Sequence, residues 1–173
     1  ALFLLFGVLS YVSDILESEY RLFGLLKGLV LAIPVFAMAV TSYGSGALLC
    51  NNKKFWRPVI IGGMVSCGIT LSLLPLFTNL VPFMTILFFL GVSIGILLPP
   101  INSLITGATS TDRRGIITCL YGTVRFFGVA IGPPTFGLTV EYGKWVMFLG
   151  AAAIAGIAAL IGCMFITLPS NSE

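Results

Sequence analysis

Arg125 is the charge in this sequence whose surroundings most need a chemical explanation. It lies eleven residues after Arg114, and fifteen uncharged residues follow it before Glu141. On a helix these intervals are ~16 Å and ~22 Å, which puts Arg125 ~8 Å inside a hydrocarbon layer of ~30 Å. Two readings stay open. A long side chain can snorkel to the interface, or the charge faces a bundle interior and pairs with an acid or a bound molecule. Asp14 closes an apolar run beside Tyr11 and Ser13, where a solvated acid at a helix end is expected. Asn102 and Ser103 follow Pro99-Pro100 inside another apolar run. Their polar side chains either bond across helices or touch a substrate. Lys27, near the start of its run, reads as a snorkelling anchor.

The remaining inventory excludes most enzymes. The chain has no histidine, the commonest general base and metal ligand. Cys50, Cys67, Cys119 and Cys163 form no CxxC pair and read as small hydrophobes. No Gly-x-Ser-x-Gly elbow and no metal-spaced acid pair occur. No cofactor, metal site or catalytic set is therefore expected. No basic cluster is dense enough for nucleic acid.

The elements that carry these residues are apolar runs. Hydrophobic residues make up 58% of the chain and charged residues 9%, far from the ~25% charge of soluble domains. Lipid is the solvent such a sequence requires, and ~20 apolar residues cross it as a helix. Six runs are expected to be spans, at about 1–15, 22–49, 58–77, 80–107, 116–140 and 144–168. The first is short and reads as the latter part of a helix whose beginning is missing. The runs are too long for strands and lack the alternation of a membrane barrel. The fold class is therefore all-α, a bundle of membrane helices. Lys53, Lys54 and Arg57 follow the second run, and Arg113 and Arg114 the fourth, whereas Asp14, Glu17, Glu19 and Glu141 lie at the opposite ends. The positive-inside rule makes the basic loops cytoplasmic, and with them both ends of the segment.

Glycine and proline are frequent inside the runs. Gly91-x-x-x-Gly95 and Gly128-x-x-x-Gly132 are small-residue stripes that let helix backbones approach. Pro34, Pro75, Pro99-Pro100 and Pro133-Pro134 are expected to break the helical ladder in mid-span. They read either as static kinks or as bending points in helices that rock during transport.

Two segments carry a family resemblance. The first contains Pro34 and continues through Ser42-Tyr43-Gly44-Ser45-Gly46-Ala47-Leu48 to Lys53-Lys54. The second is Arg125 to Gly137, with Gly128-x-x-x-Gly132-Pro133-x-x-x-Gly137. Together they resemble the C-terminal half of a major facilitator superfamily transporter of the twelve-helix drug:proton antiporter type, over essentially the whole chain. The second segment is similar to the family's antiporter motif. The loop from Gly46 is similar to its Gly-x-Leu-x-Asp-Arg loop in degraded form, with Cys50 and Asn51 where Asp and Arg would stand.

The resemblance implies a six-helix half whose substrate cavity lies against an N-terminal half absent from this sequence. It implies proton-coupled efflux of drugs or other small amphipathic compounds by alternating access, in the plasma (inner) membrane. The alternatives are a transporter of a natural metabolite, such as a siderophore or sugar, and a non-transporting half-transporter fragment. The implied partners are the lipid bilayer, a small-molecule substrate, protons, and the missing half or a second copy. Tyr11, Asp14, Asn102 and Arg125 are then candidates for the substrate or proton pathway, with Asp14 placed to take a proton near the outer mouth.

Overall fold

A backbone in lipid has no water to satisfy its N–H and C=O groups, so each crossing must bond within itself as a helix. The computed structural model describes residues 1–21, 23–49, 53–77, 79–107 and 114–165, and these contain six α-helices and no strand. They are α1 (Leu2–Ser18), α2 (Gly24–Leu49), α3 (Trp56–Leu73), α4 (Leu80–Gly107), α5 (Arg114–Val140) and α6 (Lys144–Phe165). The last five are long and apolar enough to cross a membrane, counting the turn Leu74–Leu76 with α3. The chain is an integral membrane protein. Its helices alternate in direction, giving the bundle one end rich in Lys and Arg and one bearing Asp14, Glu17, Glu19 and Glu141. These are the basic end and the acidic end below.

The helix limits differ from the sequence reading where local chemistry decides. α1 continues to Ser18, taking Asp14 and Glu17 with it, because no glycine or proline stops it and water can solvate both acids at that end. The reversal into α2 uses left-handed backbone at Arg21 (φ 51°) and Gly24 (φ 60°). α3 begins at Trp56, so Pro58 is its third residue. No partner is lost there, since the first four N–H groups of a helix have none.

The expected mid-span breaks at proline are corrected. Pro34 lies inside a continuous α2, Pro99 and Pro100 inside α4, and Pro133 and Pro134 inside α5. Each proline removes one ladder bond, and the turns on either side hold the helix. Only Pro75 stands at an interruption, in the 3₁₀ turn Leu74–Leu76 that ends the third crossing.

The closest packing is between α2 and α4, α1 and α5, α3 and α6, and α3 and α4. Glycine sets the first two contacts. A Cβ on Gly91 would collide with the Pro34 carbonyl of α2, and one on Gly95 with Thr41 and the Met38 carbonyl. A Cβ on Gly132 would lie 2.8 Å from the Phe3 carbonyl oxygen and 3.1 Å from the Gly7 nitrogen, both on α1. Gly7 in turn admits the ring of Phe136, whose centroid is 5.8 Å from that of Phe3. On its other side, α4 meets α3 through Gly63, which receives Leu97, and a hydroxyl pair, Ser66 to Ser93 at 2.8 Å.

The core runs along α1. Leu5, Val8, Val12 and Leu16 are fully buried and share a cluster with Leu71, Leu90, Ile94 and Phe148 from α3, α4 and α6. α2 and α5 are the helices least covered by the rest of the bundle.

The close approach at Gly91 gives a test. Gly91→Ala must force α2 and α4 apart, at a cost of about 2 kcal/mol. Gly28→Ala, with open space around its site, must leave stability unchanged within about 0.5 kcal/mol. Unfolding of both variants in detergent micelles checks this.

Candidate functional site

Membrane-embedded polar groups are costly without a partner, so an unpaired one is the natural starting point for a site. Among the described residues, two buried side-chain polar atoms have no hydrogen-bond partner: Asn102 Oδ1 and Arg125 Nε. Asn102 stands five residues before the end of α4. Arg125 stands eleven residues into α5. Both therefore lie toward the basic end. Residues three and four apart share a helix face, which puts Arg125 on one stripe with Gly128, Gly132 and Phe136. Those residues meet Phe3 and Gly7 of α1. The opposite face of α5 presents Val124, Phe126, Phe127 and Ile131 outward. The stripe places Arg125 on the side of α5 that packs against α1.

Gly46, Pro99, Pro100 and Ser103 come together with Leu49 and Trp56 around a cavity of about 70 Å³ at the basic end. Pro34 and Pro100 are buried, Pro99 and Pro133 half-buried. Gly137, by contrast, has open space where a side chain would point.

The basic loops are partly described. Lys53 opens the 3₁₀ turn Lys53–Phe55, and Lys54 is exposed. Arg57 is not a free loop charge, because its Nη2 donates to the Cys163 carbonyl at 2.8 Å, in the last turn of α6. Its neighbour Trp56 donates from Nε1 to the Leu49 carbonyl at 2.9 Å, closing the end of α2. Such carbonyls lack partners within their own helix. Arg114 opens α5. Arg113, Cys50 and Asn51 lie outside the described residues.

At the acidic end the expected pair separates. Tyr11 lines a cavity of about 100 Å³ with Glu19, Phe83, Lys144 and Phe148. Its ring meets Phe148 edge-on at 5.4 Å. Asp14 is exposed and does not line that cavity; the acid that does is Glu19. Glu19 lies eight residues beyond Tyr11, two turns along the same face of the chain's first helix and its continuation. Lys27 has a partner at the same end. Its Nζ donates to Glu17 Oε2 at 2.6 Å and joins α2 to α1. The sequence offered opposite charges ten positions apart, across a turn whose path it did not reveal.

Comparison with known proteins places this geometry in context. The family model described as Major Facilitator Superfamily matches residues 1–173. The chain is 34% identical to the bacillibactin exporter of Bacillus subtilis (strain 168), over 99% of the chain and 42% of that protein. It is 26% identical to the proton-coupled antiporter flippase LtaA of Staphylococcus saprophyticus, over 94% of the chain and 40% of that protein. The chain thus spans less than half the length of these curated relatives.

Accessibility distinguishes the two ends of α1. In a cysteine-free background, Asp14→Cys must react readily with a membrane-impermeant maleimide, while Val12→Cys, at a position 1% exposed, must stay protected. Equal labelling would contradict the placement of Asp14.

Proposed function

The chain belongs to the major facilitator superfamily, and from that premise we propose that it forms the C-terminal half of a proton-coupled exporter of small amphipathic compounds working by alternating access. The family makes it a transporter rather than an enzyme. The observation that carries the finer reading is the pair of unpartnered atoms, Asn102 Oδ1 and Arg125 Nε. Two buried polar atoms left without a partner within membrane helices are what a substrate path requires and what a purely structural bundle avoids.

Three further observations support it. α2 and α5 keep their large apolar side chains outward, Phe36 and Tyr43 on one and Phe126 and Phe127 on the other. Such faces suit a second six-helix half. Relatives of more than twice this length leave room for one. One of those relatives is named as an exporter and another as a proton-coupled antiporter. The basic end, with Lys54 and Arg57, then faces the cytoplasm of a plasma membrane. The close backbone contacts at Gly91 and Gly95 with α2, and at Gly128 and Gly132 with α1, are the places where a change in helix packing during transport would be felt first.

A second reading has its own support. The likeness to an exporter of bacillibactin, over 99% of the chain, favours a natural metabolite over drugs as the exported compound.

Inverted membrane vesicles containing the transporter test both readings. Uptake of an amphipathic fluorescent compound must require an acidic lumen and collapse with a protonophore. Uptake indifferent to the gradient would end the proton-coupled reading. Asn102→Ala must lower the initial rate about fivefold, the scale of one lost hydrogen bond. Competition by drugs and by metabolites identifies the preferred class.

A further inference from the structure

Arg125 carries a full positive charge, and no acid among the described residues lies near enough to serve as its counter-charge. All six acids of the sequence are Asp14, Glu17, Glu19, Asp112, Glu141 and Glu173. α1 and α5 run side by side in the same direction, with Phe3 beside Gly128. Asp14 is eleven positions beyond Phe3 and Arg125 three short of Gly128, so they are separated by ~20 Å along the bundle, and Glu17 and Glu19 by more. Glu141, sixteen residues on, is ~24 Å away along α5. Asp112 precedes α5 by two residues, and Glu173 ends the chain, both outside the described residues. The ion pair formed between described residues, Lys27 with Glu17, lies at the far end. A guanidinium Nε buried without an acceptor loses its solvation and gains nothing in return.

We propose that Arg125 is a specificity residue that receives an anionic oxygen, carboxylate or phosphate, of the transported compound. This deepens the exporter reading and rests on it only in taking the chain as part of a transporter. Three features make Arg125 suitable. The guanidinium is planar and always charged, with donors spaced to hold a carboxylate or phosphate by two parallel bonds. Its stripe faces the bundle interior, one turn from the Gly128–Phe3 contact. Asn102, on α4, which packs against α5, leaves a carbonyl oxygen equally unpaired. An acidic compound carrying a hydroxyl or amide N–H offers that oxygen a donor.

The test is equilibrium binding of radiolabelled 4-phenylbenzoate and of its uncharged methyl ester. The purified transporter, at the length its gene encodes, is held in lipid nanodiscs without a proton gradient. Wild type must bind the carboxylate more tightly than the ester. Arg125→Gln must weaken the carboxylate by about tenfold or more, the scale of a lost hydrogen bond to a charged group, and leave the ester unchanged. Arg125→Lys must fall between, because it keeps the charge and loses the fork. That variant also decides the matter if Arg125→Gln does not fold. Three results overturn the proposal: no preference for the carboxylate in wild type, equal affinity of Arg125→Lys and wild type for it, or equal loss of both probes in Arg125→Gln. The last assigns the counter-charge to an acid of the protein itself. Binding by charge without uptake into acidified vesicles would sink the proton-driven reading and leave this one standing. Uptake without charge preference would do the reverse.

Discussion

Lipid tails are as apolar as the side chains they surround, so membrane helices are not driven together by the exclusion of water. They associate where backbones can come close. The contact of Gly91 with the Pro34 carbonyl, and of Gly95 with Met38 and Thr41, is the approach on which the rest of this bundle depends. It fixes α2 on one side of α4. On the other side, α3 is held by the Gly63–Leu97 contact and the Ser66–Ser93 hydroxyl pair. α6 is then placed against α3, where Gly68 lies beside Ala152 and Ala155. A side chain at Gly91 would therefore disturb helices it never touches.

The bundle divides its helices between two tasks. α1 is enclosed, with aliphatic side chains meeting α3, α4 and α6 in one cluster. α2 and α5 are covered on one side only. α5 combines a covered stripe of Arg125, Gly128, Gly132 and Phe136 with an outer face of aromatic and branched residues. A charge on such a helix can be reached from within the membrane without being exposed to its lipid. A static membrane anchor would be expected to leave no such polar atom without a partner.

Much of this was legible in the sequence, for a physical reason. Long runs without charge have one stable form in lipid, so the all-α fold follows from hydropathy, and α4 occupies the very residues, 80 to 107, that the run marks out. The glycine stripes were visible as spacing. Their partners were not, because Gly91 meets Pro34 across 57 positions of chain and no local rule names the other side. Prolines misled, since a proline signals one missing bond and not whether the neighbouring turns can carry the helix past it. Arg125 stood out as a charge too deep for its surroundings, which sequence could detect. Whether it faced lipid or protein depended on where α1 packs, which sequence could not supply. Asp14 and Glu19 were indistinguishable as acids near a helix end until the path of the turn placed Glu19 beside Tyr11.

Trp56 and Arg57 are consecutive, yet they grip different helices: the indole holds the last carbonyl of α2, and the guanidinium a carbonyl in the final turn of α6. The first turn of α3 is therefore a joint with two arms. Displacing this turn acts on both bonds at once. The last turns of α2 and α6 are thus tied to adjacent residues of one helix, at the surface of the bundle and not through its packed interior.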